Sequence, residues 1–477
     1  MTATSILTRG RARYTAERYR DTAEYGNNRF KIRRMNPMED LRRLAQPIGQ
    51  RPPSWLNTDH TTRILMTHNI LLVTTTPLQP ANSGGRVYTW GTTAPLARDF
   101  NYHLVAMANR AEQVEFNADR NELDRRYREV FRTYEFMERP PIPSELKRNE
   151  VLKHLGRHTR FGLPLMDVSY YSEAAVDSVR RVVREQHIDL IEVDHLQMAF
   201  VRRFVPEIPA VLINHNIEGD LHPFWMTDRW SGPELAVWRS FAEVSRRNSR
   251  RIELRNSLGF AAKLFISAVD AARVDDSCPK YLLPVPMHIS TRTEPFHSDR
   301  FEILWLGGFG WPPNIQGATW FMQQVWPRFL DLTDVEVKLR LVGGSPPEEL
   351  RAYADDPRVD VPGHVPDISS VKQRSDVLIA PLLTGSGVRV KTVEAMAAGL
   401  PVVATTKGYE GLDAVPGRDL LVSDDPEGFA RHLAHLADSL ALRERLNRAA
   451  VGYVESHHDP ERVAQIKAEA FRALLSR

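Results

Sequence analysis

The residues best suited to chemistry lie in one stretch, Pro381-Leu-Leu-Thr-Gly-Ser-Gly-Val-Arg-Val-Lys-Thr-Val-Glu-Ala-Met-Ala-Ala-Gly-Leu-Pro-Val-Val-Ala404. A strand ending at Pro381 gives way to a small-residue loop, Thr384-Gly385-Ser386-Gly387, and then to a helix. Glycines let backbone N–H groups close on an anion, and a helix N-terminus adds positive potential there. Arg389 and Lys391 add full charges in the first turn, which suits a diphosphate. Two residues apart on a helix, they point roughly 200° from each other, so both reach one diphosphate only if it straddles the helix end. Lys391 and Glu394 share a face. That spacing fits a surface ion pair, or a carboxylate reaching past the phosphate to ribose hydroxyls.

A second small-residue turn, Ser83-Gly84-Gly85, lies between an apolar run and a helix-like stretch. Its N–H groups, with Arg86 beside them, suit a donor phosphate or an acceptor group, and a tight ligand-free turn fits equally. His215 ends another apolar run, with Glu218 shortly after it, and Asp194-His195 ends a third. Asn314 is placed to cap the helix that follows the Gly307-Gly308 turn.

These residues need elements to hold them. Short apolar runs at 70–73, 102–107, 188–193, 210–214 and 262–267 read as buried parallel strands, with helices from about 86 to 98, from about 171, and near 195–204. Residues 109–160 read as polar helix, and 234–258 carries apolar residues at helical spacing. A second series has strands at 303–306, 338–342, 377–380 and 402–404, with helices at about 313–330, 346–353, 388–398 and 426–437. Alternation of strand and helix, twice over, predicts an α/β protein of two doubly wound, Rossmann-like parallel sheets facing a cleft, with the site at the strands' carboxyl ends. The predicted division is a basic extension over 1–60, a first domain over 61–288, a linker over 289–300, a second domain over 301–456, and an amphipathic helix over 457–477 returning to the first domain.

Composition narrows the classes. The chain has 477 residues, 26% charged and 42% hydrophobic, with a net charge of +3. Residues 1–60 hold 12 Lys/Arg against 6 Asp/Glu, so the rest is slightly acidic. That arm, and the cluster Arg246-Arg247-Arg250-Arg251, suits either solvated polar surface or peripheral contact with an anionic membrane; no nucleic-acid-reading motif accompanies it. No apolar run approaches the roughly 18–20 residues that span a bilayer, and the Arg-rich start lacks a secretory signal's apolar core. The expectation is a cytoplasmic protein. Cys278 is the only cysteine, which excludes an intramolecular disulfide or a cysteine metal cluster. Neither half carries a G-x-G-x-x-G fingerprint or a Walker lysine motif, so nicotinamide, flavin and P-loop chemistry are disfavoured.

The stretch from Gly385 resembles the donor-binding signature of family 4 glycosyltransferases in the form G-S-G-x-R-x-K-x-x-E-A-M-A-A-G-x-P-V-V. The resemblance extends to Trp311-Pro-Pro-Asn-Ile-Gln-Gly317, Gly363-His-Val-Pro-Asp367 and Lys407-Gly-Tyr-Glu-Gly-Leu412, and more weakly to Pro77–Gly85 and His215-Asn-Ile-Glu218. It implies the GT-B fold and transfer of a hexose-type sugar from a nucleotide-diphosphate sugar, with retention and with neither metal nor cofactor. Carried over residue by residue, it implies donor contacts at Gly84, Gly85, Gly308, Val365, Gly385, Ser386, Gly387 and Glu394. It implies chemistry at His215, Arg389 and Lys391, and lesser contacts at Arg86, Glu218 and Asn314. Many members carry a glutamate where this chain has Ser386, so the sugar's charged acceptor is missing there. The implied partners are the donor and an acceptor: a glycan, a glycolipid or a small molecule.

Overall fold

The computed structural model describes residues 68–81, 83–139, 170–216, 259–274, 277–290, 292–385 and 387–476. The first seven strands are β1 (Asn69–Thr74), β2 (Asn101–Ala108), β3 (Phe131–Glu138), β4 (Leu190–Asp194), β5 (Ala210–Asn214), β6 (Ala262–Phe265) and β7 (Lys280–Leu282). They form one parallel sheet in the order β3-β2-β1-β4-β5-β6-β7. A second parallel sheet follows the same plan. Its strands β8 (Arg300–Leu306), β9 (Glu336–Val342), β10 (Val359–Gly363), β11 (Val377–Ala380), β12 (Val402–Ala404) and β13 (Leu421–Val422) run in the order β10-β9-β8-β11-β12-β13.

Both faces of each sheet are covered, and the strand sequences show why. Ile70 and Leu72 join the core on one face of β1, while Leu71 and Val73 join the core on the other. In β8, Phe301, Ile303 and Trp305 alternate likewise with Leu304 and Leu306. A strand buried on both faces needs a continuous apolar run, and burying it stabilises the fold by about 25 cal/mol per Å² of apolar surface taken from water.

The order reverses direction between β1 and β4, and again between β8 and β11. At such a switch point the flanking loops diverge and leave a crevice at the strands' carboxyl ends. Two more links place the two crevices. The chain crosses between the halves near Met287 and recrosses near His458, where Met287 N–H donates to His458 O (2.8 Å) and His458 Nδ1 meets Val285 O (2.8 Å). The last helix, Pro460–Leu475, then lays Val463, Ala464, Ala468, Phe471 and Leu474 into the first sheet's core, as expected of the C-terminal segment. Lys467 Nζ lies 2.6 Å from Glu192 Oε1 there, with both side chains fully buried.

Several expectations change. Residues 109–160 are not helix throughout: two helices, Arg110–Ala118 and Arg120–Val130, lead into β3. That strand is an edge with one neighbour and a half-exposed face, which tolerates Arg132, Glu135 and Glu138 and blurs the pattern. The predicted helix at 313–330 is interrupted by a π turn at Phe321–Val325 just before Pro327, whose missing N–H a regular helix does not tolerate. The basic arm over 1–60 and the tract 234–258, with Arg246, Arg247, Arg250 and Arg251, lie outside the described residues.

Candidate active site

The first domain brings three strand ends together. Helix α1 (Gly84–Thr93) starts after β1, behind the N-cap residue Ser83. Gly85 lies against His195, which follows β4: a Cβ on Gly85 would stand 3.8 Å from His195 Nε2. His195 holds φ = +76°, a conformation uncommon outside glycine. Its ring stacks on that of His215, which follows β5, with centroids 3.7 Å apart and planes 5° from parallel. Asp194, 1% exposed, serves both rings. Its Oδ1 is 2.6 Å from His215 Nε2, and its Oδ2 is 3.1 Å from His195 Nδ1 and accepts from Thr89 Oγ1 (3.0 Å). Burial alone would raise the Asp194 carboxyl, but His195 and His215 outweigh it and hold it well below the usual carboxylate range. Burial pushes His215 down, and His195 adds to that against the pull of Asp194.

Asp194, His195 and His215 each bring one ligand-type atom within 4.8 Å of the others. Two ligands about 2.1 Å from one metal in tetrahedral geometry stand over 3 Å apart. The 2.6 Å between Asp194 and His215 is the length of a hydrogen bond, so the cluster is a proton-linked one.

In the second domain, β8 ends at Leu306, just before Gly307, and β11 ends at Ala380, ahead of the loop that leads into helix α2 (Val390–Ala397). Gly385 and Gly387 take φ of +104° and +81°. The Arg389 guanidinium lies beneath Gly385, where a Cβ would be 3.1 Å from its Nη2. Arg389 is 8% exposed, donates from Nε to Lys407 O (2.9 Å), and has Nη2 3.7 Å from Glu410 Oε2. Lys391 points the other way. Its Nζ sits 4.3 Å from the Trp305 ring centroid and donates to Asn314 Oδ1 (3.2 Å). No carboxylate among the described residues pairs with it. Burial, with Arg389 adding to it, pushes the Lys391 ammonium down to about 7.

The sequence left three residues with roles that the structure changes. Asn314 does not cap its helix; its amide donates to Gly308 O (2.8 Å) and its carbonyl accepts from Lys391, tying the Gly307–Gly308 turn to the lysine. Glu394 pairs with Lys372 Nζ (2.7 Å) instead of Lys391, and keeps a 39% exposed side chain. Arg86 is buried, and all five of its N–H donors are engaged: by Thr76 twice, by Pro80 O, by Glu112 and by Glu115. Its guanidinium braces the loop after β1 and leaves no donor for a phosphate. Ser386 and Glu218 lie outside the described residues. Val365 is half-buried against the core beneath α2. Sequence reasoning missed Glu410, which faces both Arg389 and Lys407, and Lys372, which holds Glu394.

The two halves meet at these residues. A Cβ on Gly84 would lie 3.4 Å from Val390 Cγ2, so the N-terminal ends of α1 and α2 face each other. Gly387 packs directly on the Asn216 side chain and the His215 carbonyl, where a Cβ has no room. Gly84, Gly85, His195, His215, Gly385, Gly387, Arg389 and Lys391 thus gather around one interdomain cleft.

Two parallel α/β domains of matching strand order, the first with one further edge strand, facing one another across such a cleft, define the GT-B fold. The chain aligns with the crystal structure of Anabaena Alr3699/HepE in complex with UDP over 85% of its length and 100% of that chain (14% identity, TM-score 0.57). It aligns with sucrose-phosphate synthase from Thermosynechococcus elongatus over 86% and 99% (14% identity, TM-score 0.57), and with TarM over 87% and 100% (9% identity, TM-score 0.59). Residues 300–439 match the family described as glycosyl transferases group 1. A curated relative, an uncharacterized 44.6 kDa protein in the cps region of Klebsiella pneumoniae, is 25% identical over 203 residues, 39% of this chain and 52% of the relative. The match thus spans about half of that protein. No helix among the described residues is long and apolar enough to cross a membrane.

Proposed function

We propose that the protein is a retaining glycosyltransferase that moves a hexose-type sugar from a nucleotide-diphosphate sugar to a glycan, glycolipid or small-molecule acceptor, without a metal or cofactor. The observation that carries this reading is Lys391, a cation without a carboxylate partner among the described residues, at a helix N-terminus that faces a second one across the cleft. A diphosphate fits there. The ammonium and the helix ends stabilise the charge that develops on it as the sugar departs. Arg389, already paired with Glu410, supports the loop and adds positive potential beneath it. Glu394 has an exposed carboxylate for ribose hydroxyls, and His215 stands at the first domain's strand end for the sugar. The acceptor hydroxyl passes its proton to the departing diphosphate.

HepE was solved with UDP and with UDP-glucose, so uridine diphosphate donors are the first to test. The basic residues of 1–60 favour work at an anionic membrane face inside the cell, where a lipid-linked acceptor lies within reach. Ser386, where many family members have glutamate, favours one second reading, a partner subunit that binds donor without transfer. Lys391→Ala and Arg389→Ala are each expected to lower turnover on the order of 10²-fold, as loss of a charge-stabilising group does. Full turnover in both variants would remove the assignment.

A further inference from the structure

The Asp194 cluster carries more than a histidine at a strand end. A buried carboxylate only accepts hydrogen bonds, so the nitrogen facing it at 2.6 Å, His215 Nε2, must bear the hydrogen. That leaves His215 Nδ1 as the bare nitrogen of the neutral ring. His195 turns Nδ1 to the same carboxylate, at 3.1 Å, and Nε2 toward Gly85 at the start of α1. Two rings stacked at 3.7 Å cannot both be cations without strong repulsion, and Asp194 is the carboxylate that meets both among the described residues.

We infer that Asp194 is a positioning residue for His215, fixing the ring tautomer that carries its hydrogen on Nε2. The bare Nδ1 of His215 is then left to accept a hydrogen bond from a hydroxyl group of the sugar. This rests on the proposed glycosyl transfer. Asp194 touches no substrate in this scheme; it acts through the His215 imidazole. The surroundings are consistent with it. Thr89 donates to Asp194, and Tyr88 packs edge-on against His215 at 4.9 Å. Among the described residues, Glu192 and Lys467 also act on this cluster and pair with each other at 2.6 Å. From the second domain, Gly387 packs against the His215 carbonyl and brings no charge of its own.

Protonation of the pair removes an acceptor nitrogen, so activity should fall on an acid limb that the cluster sets. Asp194→Asn removes the charge that favours the imidazolium, and should move that limb down by about one pH unit or more. His195→Gln removes the neighbour that pushes His215 down, and should move it up. In Asp194→Asn, kcat should fall about tenfold or more while the donor KM changes less than about threefold. A readout independent of transfer is ¹⁵N NMR of histidine-labelled protein: one Nε2–H tautomer for His215 in the wild type, and a mixture in Asp194→Asn. An active wild type whose two variants keep its acid limb, or a mixed tautomer in the wild-type protein, overturns the inference. A wild type with the fixed tautomer but no transfer from any donor leaves the positioning role standing and sinks the glycosyltransferase reading instead.

Discussion

Lys391 gives the sharpest prediction, because the electrostatics that suit it to a diphosphate also make donor binding depend on pH. Burial and the nearby Arg389 push its ammonium down to about 7. About one such side chain in ten is then neutral at pH 6, and about nine in ten at pH 8. A diphosphate needs the charged form and restores it, so binding takes up close to one proton at pH 8 and about a tenth of one at pH 6. Donor affinity should therefore weaken about tenfold from pH 6 to pH 8. The diphosphate of a nucleotide sugar does not itself titrate in that window. Isothermal titration of a nucleotide sugar in two buffers of different ionisation enthalpy reads both the affinity and the proton uptake. Lys391→Arg, charged throughout, should bind independently of pH. Equal affinity at pH 6 and 8 with no buffer dependence would refute the reasoning. The same shift has a stability consequence: between about 7 and the ordinary lysine value the unfolded chain binds more protons than the folded one. This residue therefore makes the ligand-free protein more stable as pH rises through that window.

Gly387→Ala places a Cβ against Asn216 across the cleft at φ = +81°, where an L residue costs about 1–2 kcal/mol before any clash. Turnover should drop at least about tenfold, while Tm changes by only a few degrees; wild-type turnover would show that the two halves need not meet there. Lys467→Met leaves Glu192 buried and unpaired, and should destabilise by about 3–5 kcal/mol in denaturant unfolding. Adding Glu192→Leu should recover most of that loss; if the double variant is as unstable as the single, the buried charge is not the cause.

Much of the fold was legible because central parallel strands leave a strong trace. The runs at 70–73, 210–214 and 377–380 are continuous apolar stretches, each fully or nearly fully buried. The edges β3, β7, β10 and β13 left little trace, since a strand with one neighbour is half solvated and tolerates residues such as Arg132 and Asp360. The helix Leu440–His457 also escaped notice, its apolar positions diluted by Arg443, Glu444 and Arg445. Within the site, glycines and cations were readable from local spacing. Arg389 and Lys391 do turn to different partners, but not by helical spacing, since Arg389 is the N-cap with a non-helical backbone and the helix begins at Val390. What spacing could not show were the partners: Asn314 is 77 residues from Lys391, and Lys372 is 22 from Glu394. Those pairings arise only when separate strand ends meet, as does the shared grip of Asp194 on two histidines 20 residues apart in the chain.

The central claim is tested most directly by nucleoside-diphosphate release. Purified protein would be incubated with UDP-, GDP- and dTDP-sugars in turn, with Lys391→Ala alongside and a thermal-shift trace on each mixture. The account predicts that at least one nucleotide sugar raises Tm and is slowly hydrolysed to its nucleoside diphosphate, with both effects lost in Lys391→Ala. If no nucleotide sugar is bound or turned over, or if Lys391→Ala matches the wild type, the cleft is not a donor site and the account is wrong.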